Sequence, residues 1–273
     1  MARFLTAAAI ALGAAALIGW GTPTAAEGGP ERCPRFIAWQ GGQVVPAAYE
    51  SLAREESEVA ITFVGHATFL IESPAGVSIA TDYNDFVRPD DTPMIATMNR
   101  AHRTHFSTAP DPGIVHLLPG WSEDGEPARY DLELGDVWLR NVTTNIRGRG
   151  GATVRDQNSI FVFEVSGLCI AHLGHLHHTL TDAHLDALGR IDVVLAPVDG
   201  SFTLDTAGML EVLQALQAPV VIPMHFFSQG RLEAFLAIMA DHGFDIVRSD
   251  TPRIRLARSD LPDRPAVLVL PGR

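Results

Sequence analysis

The feature that most constrains the fold is a change of rhythm near residue 175. Before it, short β-branched and aromatic runs are separated by Gly and Pro turns: Val59–Val64, Thr68–Glu72, Val77–Thr81, Ile95–Met98, Ile114–Leu118, Val137–Val142, Ser159–Val165 and Leu168–Leu173. That spacing predicts a meander of strands, with Gly167 turning the last two into a hairpin. After it, the continuous apolar runs Ile191–Val198 and Val220–Met224 alternate with stretches of helical period at Thr181–Leu188, Asp205–Leu216 and Arg231–His242. Ile246–Val247, Ile254–Leu256 and Val267–Leu270 close the chain as strands. Strands first and strand–helix alternation second predict an α/β architecture of sheets covered by helices.

Composition narrows the function classes. Hydrophobic residues make 47% and charged residues 19%, which excludes a disordered chain. The net charge of −12 argues against nucleic acid and against an anionic membrane surface, because both are held by clustered Lys and Arg. The expected partner is therefore a small-molecule substrate. The sequence says nothing of oligomeric state.

The N-terminus is set apart from this domain. Arg3 precedes an uncharged run, Phe4 to Trp20, and the small residues Thr24, Ala25 and Ala26 stand before Glu27. This pattern predicts a signal peptide over 1–26 and a secreted or periplasmic protein, with an uncleaved N-terminal membrane anchor as the alternative. An N-terminal extension then covers 27–58 and the folded domain 59–273. Cys33 lies in the extension and Cys169 in a strand. A disulfide is permitted outside the cytoplasm, and two unpaired thiols are equally compatible with the sequence.

Eleven His residues carry the chemistry. Three His-bearing segments follow predicted strands: Asn99-Arg100-Ala101-His102-Arg103-Thr104-His105, His172-Leu173-Gly174-His175-Leu176-His177-His178, and Pro223-Met224-His225. Loops at strand ends build sites because the sheet fixes them in place, and imidazoles converging from several loops hold a divalent ion. A single His in such a place is as readily a hydrogen-bonded structural residue, so the combination carries the argument. His177, His178, His184 and His242 read as surface or helix-cap residues, and His116 as a packed strand residue.

The motifs Val64-Gly65-His66-Ala67-Thr68-Phe69-Leu70-Ile71-Glu72, Ile79-Ala80-Thr81-Asp82, Asn158-Ser159-Ile160-Phe161-Val162, Ile170-Ala171-His172-Leu173-Gly174 and Val221-Ile222-Pro223-Met224-His225 stand in order. In them the chain resembles the metallo-β-lactamase superfamily, in the branch of stand-alone hydrolases similar to L-ascorbate-6-phosphate lactonase-like proteins. The resemblance implies a four-layer αββα sandwich of two mixed β-sheets with outer helices, and a site along one edge. It implies a hydrolase acting through metal-activated water on an ester, lactone, amide or phosphodiester bond.

The chain departs from the family's His-x-His-x-Asp-His pattern, reading Arg100-x-His102-x-Thr104-His105. Asn145 stands where a later His is usual, and His175 where a bridging Asp is usual. Position by position, His102, His105, His175 and His225 remain as candidate ligands. Without a matched carboxylate, four neutral imidazoles suit one divalent ion rather than two, with zinc expected and manganese or iron as alternatives. Arg100 is expected in place of the first ion. Thr104 does not ionise and cannot serve as a base. His66 is a candidate proton carrier or a turn residue, and Asp82 is a candidate acidic partner of the site or, equally, only a brace for the loop containing His102. Asp85 reads as a solvated loop residue. Asn145, Arg147 and Arg149 are candidate substrate-binding residues for an anionic group, on a loop that reads equally as solvated surface. The rival function is a non-catalytic metal- or ligand-binding protein on a degenerate hydrolase scaffold.

Overall fold

The computed structural model describes residues 57–121 and 125–272 together with Cys33. The leader, and all of the extension up to residue 56 except Cys33, lie outside the described residues. Among those described, no helix is long and apolar enough to cross a membrane.

Fourteen strands form two sheets among the described residues. The first sheet holds β1 (Val59–Gly65), β2 (Thr68–Glu72), β3 (Ser78–Ala80), β4 (Ile95–Met98), β5 (His116–Pro119) and β13 (Arg253–Leu256), in the order β13-β1-β2-β3-β4-β5. The second holds β6 (Asp131–Leu134), β7 (Val137–Arg147), β8 (Thr153–Val165), β9 (Leu168–His172), β10 (Val193–Pro197), β11 (Val220–Met224), β12 (Asp245–Arg248) and β14 (Ala266–Val269), in the order β12-β14-β11-β10-β9-β8-β7-β6. Both are mixed: β3–β4–β5 and β9–β10–β11–β14–β12 run parallel, and the hairpins antiparallel.

The period of two along each strand builds the layers. Phe161, Phe163 and Val165 of β8, Val193 and Leu195 of β10, and Val220 and Ile222 of β11 face inward. They meet Val59, Ile61, Phe63, Phe69, Ile71, Ile79 and Ile95 of the first sheet. The alternate residues Ile160, Val162, Val194, Ala196 and Val221 face out toward the helices. The helices are α1 (Asp182–Leu188), α2 (Thr206–Leu216) and α3 (Gln229–Asp241). Met209, Val212, Leu213 and Leu216 of α2, and Leu232, Phe235, Leu236 and Met239 of α3, form the stripes that close this layer. Each helix starts on a side-chain cap: Thr181, Asp205 and Ser228 accept from the amides of His184, Gly208 and Arg231.

The expected α/β sandwich of two mixed β-sheets with outer helices is found among the described residues. All three α-helices pack on the eight-stranded sheet. Ala80, Ala96 and Met98 of the first sheet are covered instead by loop residues Tyr83, Phe106, Ile114 and Trp121. Asp85 ties this layer together and is no free loop residue. Its carboxylate accepts from the Ser107 hydroxyl and from the Thr108 amide and hydroxyl, and pairs with Arg88 at 3.2 Å. Cys33 and Cys169 form a disulfide, with 6.1 Å between their Cα atoms. It fastens the extension to β9.

Candidate metal centre

Site residues leave the C-terminal ends of six strands. His66 follows β1, Asp82 follows β3, His102 and His105 follow β4, His175 follows β9, Asp199 follows β10, and His225 follows β11. The two sheets meet here, because the His225 amide donates to the His66 carbonyl at 2.7 Å. Three of these residues hold the left-handed backbone that non-glycine residues avoid: His66 at φ 53°, Asp82 at 42° and His225 at 54°. Such conformations cost roughly 1–3 kcal/mol each and persist only where the surroundings impose them. Three of the seven such non-glycine residues among those described thus stand at this edge.

The imidazoles converge. Ligand atoms of His66, His105 and His225 all lie within 4.8 Å of one another. Their ring centroids are 4.3 Å apart for His66–His225, 5.2 Å for His66–His105 and 5.1 Å for His105–His225. His175 stands edge-on to His105 and His225, at 4.8 and 4.9 Å. The Nε2 atoms of His66, His105 and His175 are buried without a protein partner. Buried polar atoms are ordinarily paired, so the orphaned atoms of His66 and His105, two of the three rings brought together, point to a ligand that pairs them.

Two buried carboxylates set the roles of the rings. Asp82 Oδ2 lies 2.5 Å from His105 Nδ1, and Asp199 Oδ1 lies 3.0 Å from His225 Nδ1. Each carboxylate accepts the Nδ1 hydrogen, which leaves Nε2 with its lone pair. This is the arrangement of carboxylate, imidazole and metal that orients ligands in known centres. Burial pushes the Asp82 carboxyl up to about 6, against the pull of His172 and of the Asn99 amide at 2.9 Å. Burial also opposes ionisation of Asp199. There the His225 ring, the Thr203 hydroxyl and the Phe202 and Ser201 amides win, holding it well below the usual carboxylate range. Burial, then the neighbouring imidazoles, lowers His66 to about 3 and keeps His105 and His175 neutral well below their ordinary range. Neutral imidazoles beside two anions form a set that one divalent cation would balance.

The residues match a known family. A model of the beta-lactamase superfamily domain matches residues 60–225, more than half of the chain. The chain belongs to the metallo-β-lactamase superfamily. Among solved structures, it is similar to a Thermotoga maritima protein assigned to the Zn-dependent hydrolases of that superfamily. The two share 29% identity with a TM-score of 0.59, over 79% of this chain and 100% of that one. It is also similar to a UPF0173 metal-dependent hydrolase of Methanosphaerula palustris, 26% identical over 181 residues, which cover 61% of this chain and 83% of the relative. The corresponding figures for a UPF0173 metal-dependent hydrolase of Methanospirillum hungatei are 23% over 236 residues, 78% and 96%.

Within this superfamily fold, the expected site residues are arranged differently from their order in the motif. His105, His175 and His225 come together, as does His66, which was expected outside the ligand set. His102 is exposed at the rim, 4.8 Å from His175 and 6.2 Å from His105 by ring centroid. Asp82 braces the loop that contains His102, through His105 Nδ1 and the Asn99 amide. Arg100 does not stand in for an ion among the buried imidazoles: it is exposed, and its guanidinium carbon lies 5.8 Å from the Trp121 ring centroid. Arg147 Nη2 donates to the carbonyls of Ser201, Phe202 and Thr203, so it supports the loop that carries Asp199. Asn145 accepts from the Asp156 amide and lines a separate cavity of about 640 Å³ that none of the clustered imidazoles lines. Arg149 opens the 3-10 turn between β7 and β8. His184 and His242 are helix-cap residues as expected, and His172 is structural, donating Nε2–H to the Ala67 carbonyl at 2.8 Å. His177 is not a surface bystander, because its Nε2 lies 2.5 Å from His175 Nδ1. Sequence reasoning missed Asp199. Its one signal was a carboxylate two residues beyond a buried strand, which reads equally well as an Asp-Gly turn.

Proposed function

We propose that this protein is an exported metal-dependent hydrolase that holds one divalent ion, zinc by ligand chemistry, on His66, His105 and His225. It cleaves an ester, lactone or amide bond next to an apolar group. The observation that carries the reading is the tight group of three imidazoles, two of them braced by buried carboxylates and two with orphaned Nε2 atoms. When bound, such an ion polarises a carbonyl and activates water.

The chain's own residues supply orientation and selection. Asp82 and Asp199 fix the rings of His105 and His225. Phe202 and Phe227 stand at the mouth, 57% and 59% exposed, with their rings 5.4 Å apart. Phe227 packs on His225 and His66, and Phe202 on His102. His66 also lines a cleft of about 430 Å³ of mixed character, with Phe63, Phe226 and Leu270 beside Gln229, Arg248 and Ser249. The exposed Phe202 and Phe227 rings support a carbonyl substrate with a hydrocarbon substituent. Arg147, the expected anion-binding residue, is occupied with backbone carbonyls. The disulfide supports export, since such bonds persist in oxidising compartments.

Elemental analysis of the purified mature protein should find one ion per chain, and p-nitrophenyl butyrate should be cleaved in preference to bis(p-nitrophenyl) phosphate. Two tightly held ions, or turnover of the phosphodiester alone, would overturn this reading. A mature N-terminus at Glu27 in an extracytoplasmic fraction is the expected sign of export, and retention of Met1 in the cytoplasm would contradict it.

A further inference from the structure

At the end of β7, where the ladder with β8 is interrupted between Thr144 and Ile146, the amides of Asn145 and Arg147 are left free of that ladder's regular pattern. Each amide donates to an imidazole. Asn145 N–H reaches His178 Nε2 at 3.0 Å, and Arg147 N–H reaches His177 Nδ1 at 2.5 Å. A backbone amide can only donate, so each ring must accept at that nitrogen and carry its hydrogen on the other. His178 shows the consequence, with Nδ1 2.8 Å from the Thr179 carbonyl. His177 must likewise carry its hydrogen on Nε2. That atom faces His175 Nδ1 at 2.5 Å, so His175 accepts there and carries its own hydrogen on Nε2.

This makes His175 the opposite of His105 and His225. Their carboxylates take the Nδ1 hydrogen and leave a lone pair facing the centre. The Arg147 amide, acting through His177, leaves a buried N–H on a ring that stands 4.8 Å from His105 and 4.9 Å from His225 by centroid. Two features hold the ring in place. The His175 amide donates to Asn158 Oδ1 at 2.7 Å, and Gly174 takes φ 60° where a Cβ would meet Asn158 Oδ1 and Asn99 Nδ2 at 2.4 Å. The Nε2 atom has no acceptor in the protein.

We infer that His175 is a hydrogen-bond donor rather than a metal ligand. Its neutral Nε2–H is aimed at the carbonyl oxygen of a substrate seated at the centre, and His177 is the positioning residue that fixes its tautomer. The substrate half of this inference rests on the hydrolase reading above. The tautomer half does not. No proton is transferred: the donor stabilises an oxygen on which negative charge develops, a role whose loss typically lowers the rate 10²- to 10³-fold.

The test combines imidazole nitrogen NMR with zinc titration of the full-length mature protein. In metal-free protein His105 and His225 should show hydrogen on Nδ1, and His175 and His177 on Nε2. On addition of zinc the His175 Nε2–H should persist. His175→Ala should hold zinc within about threefold of the parent and lose about 10²-fold in kcat with p-nitrophenyl butyrate. His177→Gln presents an oxygen to the Arg147 amide and an N–H to His175, so it should restore most of the activity lost in His177→Ala. His177→Glu accepts from both sides and should move the His175 hydrogen to Nδ1. A fourth lone pair then faces the centre, zinc binds about tenfold tighter, and kcat falls. Loss of the His175 Nε2–H on zinc binding, or a hundredfold weaker zinc affinity in His175→Ala, would overturn the inference. A parent protein that takes no zinc would overturn the metal reading, while the tautomer pattern still stands or falls on its own spectrum.

Discussion

The two sides of the imidazole cluster are built from the same residue type and are held in opposite ways. On one side, His105 and His225 rest on buried carboxylates from loops after β3 and β10. On the other, His175 rests on His177, which rests on a backbone amide of β7. An acceptor behind a ring turns its far nitrogen into a ligand, and a donor behind it turns the far nitrogen into a donor. The chemistry of such a centre is therefore written by what lies behind the rings.

The largest effect should come from removing a carboxylate-backed ring. His225→Ala should abolish metal binding by elemental analysis and lower kcat/KM at least about 10³-fold, against no change in the remote helix cap His242→Ala. Retention of the metal in His225→Ala would break the distinction between the two sides. Next in size is the carboxylate itself. Asp199 accepts the amides of Ser201 and Phe202 and the Thr203 hydroxyl as well as the His225 ring, and an amide group cannot accept at both positions. Asp199→Asn should weaken zinc affinity about 10- to 100-fold in a competition titration with a chelator. An unchanged affinity would show that the carboxylate orients nothing.

A smaller effect is expected at the rim. His102 is exposed and has no carboxylate behind it in the described network, so His102→Ala should change zinc affinity by less than about threefold while altering KM for aryl esters. A loss as large as that of His225→Ala would place it inside the ligand set.

The smallest effect compares two aspartates three positions apart. Burial raises Asp82, whereas hydrogen bonds from the Ser107 hydroxyl and the Thr108 amide lower Asp85 to about 2, against a modest desolvation. A carboxyl depressed in the folded state contributes stability that is complete above its unfolded pKa near 3.8 and lost as pH falls through about 2. Asp85→Asn should therefore show a slightly lower melting temperature than the parent at pH 6, and the gap should close between about pH 4 and pH 2. A gap that widens toward acid would contradict the assignment.

Much of this architecture was legible in the chain. The short continuous apolar runs at Val193–Pro197 and Val220–Met224, with no polar residue, read as strands buried on both faces. The helical stripes of α2 and α3 were visible for the same reason. What was missed has a common cause. β6 reads Asp-Leu-Glu-Leu and is half exposed, so its signal is faint. β7 and β8 extend through Thr143–Arg147 and Thr153–Asn158, polar stretches that pair across a hairpin rather than bury. At the site, His66 resembled a turn residue because it is one. Its place in the cluster depends on the sheet that brings His225 beside it.

The primary structure alone decided where imidazoles would hang, because short apolar runs fix the strands and the residues just past them must turn out at a common edge. Folding decided which nitrogen of each ring looks inward. That choice belongs to partners 23, 26 and 30 positions away — Asp82 for His105, Asp199 for His225, the Arg147 amide for His177 — and hydrogen bonds over such separations exist only once the strands of each sheet have paired.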